Sequence, residues 1–415
     1  MNEQLRRVVV TGMGAVSPVG NTLADTWDNL IKGVHGIGPI TLFDATDYKA
    51  TLAAEVKDFN PRDYMDKQEI LRSDRYSQLA IAAATQAVEE SGVLGSAAPE
   101  RMAVYFGTGI GGVTTITREH HKLFEKGPGR VSPYLVPMMI ANMAAGMIAI
   151  RYNCQGAAMP SVTACDSGAN AIGEAVRAIR HGYADVVISG GSDAAVNECG
   201  VAGFINMHAL STSKDPEAAS LPFDARRAGF VIGEGAAALV LEDYEHAVSR
   251  GAKIIGEISG YGVTCDAYHI TSPRPDASGG ARAMTQALEE SGYRGDERIY
   301  VNAHGTGTPL NDKGETIAIK TALGEEKAHA SLVSSTKSMT GHMLGAAGAL
   351  EAVVCLKVLE TGWIPPTIHL LEADPDCDLN YVPNQAVQAE VDLCISNSLG
   401  FGGHNASLAF RKVKA

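Results

Sequence analysis

The stretch "SVTACDSGANAIGEA", residues 161–175, joins a strand-like run to a helix of small residues, and the join carries a cysteine followed by an aspartate. "SVTA" reads as strand and "SGANAIGEAVRAI" as helix, which puts Cys165 at a helix N-terminus. Free N–H groups and the helix dipole there favour a thiolate, and the same N–H groups can hold an oxyanion. Cysteine is more often a small buried hydrophobe than a nucleophile, so it is position that makes the case for Cys165. Asp166 works against it. An acid in the first turn helps the helix, but facing the thiol it would raise the thiol pKa, so its side chain is expected to point away.

Outward from this join the chain repeats the same grammar. "RRVVVTG", "MAVYFGTG", "DVVISGG", "AALVLED", "IYVNAHGTG" and "LVSST" read as strands, while 76–92, 168–181, 281–292 and 344–360 read as helices. This is a layered α/β pattern whose strands run into Gly-rich corners, where such folds place their chemistry. After "LEDYEHAVSRG" a boundary near residue 250 separates two halves, each with strands, a reactive residue and an Ala/Gly-rich helix, and an internal duplication is suspected. "GTGIGG" at 107–112 satisfies the dinucleotide-binding spacing, but no Asp or Glu stands at 126–137, about twenty residues on, to meet a ribose. Its glycines are read instead as permitting close approach of backbone to another element or to an apolar ligand.

The 415 residues are 45% hydrophobic, with 45 glycines, which suits a large, tightly turned core. A net charge of −13 and the lack of a basic run argue against a nucleic-acid partner. Seven scattered cysteines without a C-x-x-C pair read as thiols in a reducing compartment. The apolar start, Val8 to Val10, is too short for a signal peptide, and no run approaches ~18 apolar residues, so a cytoplasmic protein without a membrane span is expected.

Two histidines join the cysteine. His304 ends the strand-like "IYVNAH" and His342 lies in "STKSMTGHMLGAAGALEA", before a helix that must pack closely. An imidazole at the start of a buried helix stays neutral and can donate one hydrogen bond, which suits a developing enolate. Lys337 is a cation in the same corner, read either as a solvated lysine or as a charge serving the site. Phe401 stands alone among Gly400, Gly402 and Gly403 in "ISNSLGFGGHNASLAF", where it can swing or present its backbone N–H. No paired ligand spacing supports zinc, so no metal is expected, and "HH" at 120–121 is read as a solvated face.

Together "VTACDSGANAIGEA", "NAHGTGTPLNDKGE", "SSTKSMTGHMLGAAGALEA" and "NSLGFGGHNASLAF" resemble a β-ketoacyl-acyl-carrier-protein synthase, type II, a fatty acid condensing enzyme of the thiolase superfamily. The resemblance implies a thiolase-like α/β fold, two similar halves in five α-β-α-β-α layers, here 1–251 with the nucleophilic cysteine and 252–415 with both histidines. It implies a homodimer that needs no cofactor, its substrates riding on the phosphopantetheine of acyl carrier protein. By resemblance, Cys165 is acylated, His304 and His342 serve decarboxylation of malonyl thioester and Lys337 supports that charge. Glu351 joins its network, and the N–H groups of Cys165 and Phe401 form the oxyanion hole. Thr306 and Thr308 would touch pantetheine, Ile110 and Phe204 would line the acyl tunnel, and Lys67, Arg72, Lys126, Arg130 and Lys214 are candidates for docking the acidic carrier. Three positions depart from the family pattern: Asp166 where a small residue is usual, Gly307 where Ser is common and Leu71 where Arg is frequent. The alternatives are a polyketide ketosynthase and a catalytically weak chain-length-factor-like dimer partner.

Overall fold

The computed structural model describes residues 5–413. The main sheet takes five strands from the first half: β1 (Val8–Val16), β2 (Met102–Gly107), β3 (Ala158–Ser161), β4 (Val186–Ala194) and β5 (Glu234–Asp243). Five come from the second: β6 (Gly256–Cys265), β7 (Ile299–Asn302), β8 (Leu332–Ser334), β9 (Leu393–Gly400) and β10 (His404–Arg411). They run side by side in the order β8-β7-β9-β10-β6-β1-β5-β4-β2-β3. The first half therefore reads 3-2-4-5-1 and the second 8-7-9-10-6, the same order. In each, the three outer strands are parallel, and the fourth in the order, β5 or β10, is antiparallel to both its neighbours. β1 and β6 meet only at Val9–Glu257 and Val10–Gly256, so these are two similar sheets hinged at one edge.

Helices α1 (Arg75–Ser91) and α3 (Ser278–Glu290) cover the outer faces of the first and second sheets. Between the sheets lie α2 (Ser167–Arg180) and α5 (Ala347–Thr361), each touching strands of both halves, while α4 (Pro309–Leu323) packs beside α3. These are the five layers expected of a thiolase-like fold. α5 is buried almost throughout, which only an apolar sequence such as "LEAVVCLKVL" permits; each large apolar side chain taken from water stabilises by ~1.5–3 kcal/mol.

The duplication reaches single residues. A Cβ on Gly12 or Gly14 would stand 2.1 Å from the carbonyls of Ala87 and Ala83, and one on Gly260 or Gly262 would stand 2.0 and 1.9 Å from those of Ala287 and Ala283. Glu90 and Gln86 accept the N–H groups of Met13 and Ala15, as Glu290 and Gln286 accept those of Tyr261 and Val263. The signal stands in the sequence as "ATQAVEESG" (84–92) and "MTQALEESG" (284–292), and the strand-and-helix reading passed over it.

Two strands escaped that reading as well. β3 is "AMPS", three residues before the expected "SVTA", and β6 is the glycine-rich "GEISGYGVTC". At 107–112 the glycines serve close approach as expected: a Cβ on Gly107 would lie 2.2 Å from the Ser167 carbonyl and one on Gly112 2.1 Å from that of Met138. All seven cysteines are free, and no helix among the described residues is long and apolar enough to cross a membrane.

Candidate active site

Cys165 sits on a short turn, Ala164–Asp166, that leads into α2. Ala164 takes a left-handed φ of 54°, a strain of about 1–3 kcal/mol for a residue with a side chain, and it aims the next residue inward. The second half repeats the device, with Leu344 at φ 49° opening the turn Leu344–Ala346 before α5. His342 precedes that turn and so is not in the first helical turn as expected. His304 follows β7, and Glu315 on α4 fixes its loop by accepting the His304 and Gly305 N–H groups, both at 2.7 Å.

His342 Nε2 lies 3.1 Å from Cys165 Sγ, and the two imidazoles meet edge to face with centroids 5.3 Å apart. Burial above all, then the Lys337 ammonium, holds both histidines well below the usual 6.5, so both are neutral, through burial rather than helix position. Lys337 is buried rather than solvated, and its ammonium donates to Glu351, which is equally buried. The Cys165 thiol differs from expectation. Burial, then Asp166, pushes it up to about 12, against the opposing pull of Lys337 and the Phe401 N–H. Burial outweighs the helix end, so the resting residue is a thiol. Asp166 does not turn away to solvent: it is fully buried, and it acts on Cys165 at close range.

A cavity of about 300 Å³ opens onto these groups, walled by Cys165, His304, His342, Thr306, Thr308 and Phe401. The Thr306 and Thr308 hydroxyls lie 2.9 Å apart on one wall. A row of rings, Phe401, Phe204, Phe230 and His342, runs inward at centroid spacings of 6.4, 5.5 and 5.1 Å. Ile110 stands apart from this wall, 37% exposed, on a loop that the buried Asp193 grips through the N–H groups of Gly109 and Ile110 and the Thr108 hydroxyl. Lys67, Arg72, Lys126, Arg130 and Lys214 are exposed; Lys214 donates to the Lys49 carbonyl, and Arg72 lies over the Tyr134 ring. His120 and His121 lie on a solvated helix face as read.

Asp193, Asp312 and Glu315 went unnoticed in the sequence. Asp312 accepts the N–H groups of Phe223 and Gly307. The spacing Asp312–Glu315, one turn inside a helix that follows a Gly/Thr loop, was the available signal. The ligand atoms of Cys165, His304 and His342 lie within 4.8 Å of one another, near enough for a metal by distance alone. The Lys337 charge that both imidazoles feel works against a second cation there.

Residues 5–247 match the family described as Beta-ketoacyl synthase, N-terminal domain, and 255–371 match Beta-ketoacyl synthase, C-terminal domain. The chain is 49% identical over 415 residues, all of both chains, to 3-oxoacyl-[acyl-carrier-protein] synthase 2 of Synechocystis sp.. It is 48% identical over 413 residues, 99% of this chain and 100% of the other, to the protein of the same name in Staphylococcus aureus. Among solved structures, the ishigamide ketosynthase/chain length factor is similar at a TM-score of 0.92 and 38% identity, covering 99% of this chain and 100% of its own. A type II PKS acyl-carrier protein in complex with its ketosynthase bound to the hexaketide gives 0.91 and 32% over the same shares.

Proposed function

The chain belongs to the beta-ketoacyl synthase family, and from that premise we propose that it is an elongating 3-oxoacyl-[acyl-carrier-protein] synthase of fatty acid synthesis, acylated on Cys165. The observation that carries the reading is the close trio of thiol and two neutral imidazoles at the floor of one cavity. The higher identity to the two synthases favours fatty acid over polyketide synthesis. The intact trio disfavours a silent dimer partner.

The chemistry follows from the charges. The Cys165 sulfur attacks the carrier's thioester, the Cys165 and Phe401 N–H groups take the oxyanion, and the thiol proton leaves with the pantetheine sulfur, while His342 keeps its Nε2–H as a donor beside the Cys165 sulfur. Malonyl thioester then loses carbon dioxide, and the electron pair left behind forms an enolate. Two neutral N–H donors in a closed pocket stabilise that charge without surrendering a proton, which imidazolium would do. The enolate carbon attacks the acyl-cysteine, a carbon–carbon bond replaces the carbon–sulfur bond, and the Cys165 thiolate so released takes a proton from water to restore the thiol. Burial first, and then Lys337, which is paired with Glu351, keeps both imidazoles neutral. Thr306 and Thr308 face the cavity as partners for the pantetheine amides, and Phe204 bounds the path of the acyl chain, while Ile110 lies outside the cavity wall and would meet the acyl chain only beyond it.

No cofactor is needed for these steps. The carrier is acidic, and Lys67, Arg72, Lys126 and Arg130 make no salt bridge among the described residues, leaving their charge for a partner; Lys214 joins them. A homodimer is supported by β3, an edge strand, and by Val136, Ile150, Met159 and Val162 around it, each more than half exposed. Within one chain, 1–251 and 252–415 are proposed as two thiolase-like domains; residues 1–4 and 414–415 lie outside the described residues. A cytoplasmic setting accords with the free thiols. The test is incubation with long-chain acyl and malonyl carrier proteins. Equal amounts of 3-oxoacyl carrier protein and carbon dioxide are expected, and His304→Asn should cut both at least about 10²-fold while leaving the acyl adduct. Carbon dioxide without condensation would contradict the reading.

A further inference from the structure

Asp166 follows the nucleophile, yet no step above uses it. It is fully buried, and neither carboxyl oxygen has a hydrogen-bond partner among the described residues. Cys165 and the start of α2 lie on its own element. Against it packs Gly400 at the end of β9, where a Cβ would stand 2.7 Å from Oδ1 and 3.3 Å from the Cys165 nitrogen; the charges that act on it are those of Glu351, Lys337 and Asp266 beyond β6, and the Tyr261 hydroxyl on β6 feels it in turn. One cation thus faces three acids, and Glu351 already takes its ammonium, while Asp266 holds the Asn405 amide and the Arg274 N–H. A carboxylate with no donor in such a space is far more costly than the uncharged acid. Burial first, then Glu351, accordingly holds its pKa well above the carboxylate range.

We propose that Asp166 is a positioning residue that stands as a neutral carboxylic acid under Gly400, seats the turn that holds the Phe401 N–H over Cys165, and unseats that turn when it loses its proton. An ionised Asp166 needs water or donors, and Gly400, which packs on it, also lines the cavity. Its charge would also oppose formation of a thiolate on the adjacent Cys165. The inference rests on Cys165 being the nucleophile.

The test follows acyl transfer to Cys165 against pH, beside the infrared band of a protonated aspartate made visible by isotope-labelled aspartate, in the wild type, Asp166→Asn and Asp166→Ser. The wild type should carry the band at neutral pH, and its loss on raising pH should track a fall in transfer of about tenfold or more. Both variants should lack the band and also the alkaline fall. A wild type without the band at neutral pH, or variants with the same alkaline fall, would overturn the proposal. If neither variant folds, the wild-type band decides alone: its midpoint must coincide with that of the fall. A chain that never forms the acyl adduct would defeat the nucleophile reading instead, and the band would still report the protonation of Asp166.

Discussion

Lys337 and Glu351 form a buried ion pair at the residue scale, and such a pair tolerates the loss of neither member. Lys337→Met should leave the Glu351 charge uncompensated and cost about 3–5 kcal/mol, read as a lowered denaturation midpoint. His304 and His342 bear on pH. Both are neutral when folded and titrate near 6.5 when unfolded, so below that pH the unfolded chain binds more protons and stability falls as pH drops. Each should contribute up to about 1.4 kcal/mol per pH unit. The double variant His304→Asn, His342→Asn should lose this slope; taking the difference from wild type removes the opposite contributions of Asp193 and Glu315, which burial raises to about 6 and about 7. Cys165, His304 and His342 were legible because each stands in a small-residue corner between a strand-like run and a helix. Asp193, Asp312 and Glu315 were not, because their partners are backbone N–H groups of remote loops and nothing local marks an acid that serves them. The thiol's raised pKa was hidden too, since burial depends on the whole fold and the helix end is all that the sequence displays.

Among the elements, the tight contact between β6 and α3 makes a sharp prediction. Gly262→Ala would put a Cβ 1.9 Å from the Ala283 carbonyl, so the helix must move, and a cost of about 3 kcal/mol or more is expected from overpacking. Gly146, inside the helix Met143–Tyr152, has nothing within 4 Å of its missing Cβ, and Gly146→Ala should stabilise by about 0.5–1 kcal/mol. Denaturant titration of the two variants should thus move in opposite directions. Long periodic elements such as α1 and α2 were readable to within a residue or three. β3 and β6 were not, since Pro160 in one and the glycines of the other weaken the pattern, and it is pairing with neighbours that makes them strands.

At the scale of the whole molecule, the repeated strand order explains why chemistry gathers at one place: the turn before α2 brings the thiol and the turn before α5 brings His342 to a common floor. The halves looked alike in the sequence, but the matched strand order arises from pairings between residues far apart in the chain. The helix Met143–Tyr152 packs on β3, so Ile150 and Met159 belong to one apolar face. Sedimentation should find a dimer, and Ile150→Asp with Met159→Asp should give a monomer; a monomeric wild type would contradict the assembly. The central claim concerns Cys165, and the measurement that tests it most directly is the intact mass of the protein after incubation with a long-chain acyl carrier protein, beside Cys165→Ala. One acyl adduct per chain, absent from the variant, is the predicted result. No adduct, or an adduct that survives the substitution, would contradict it.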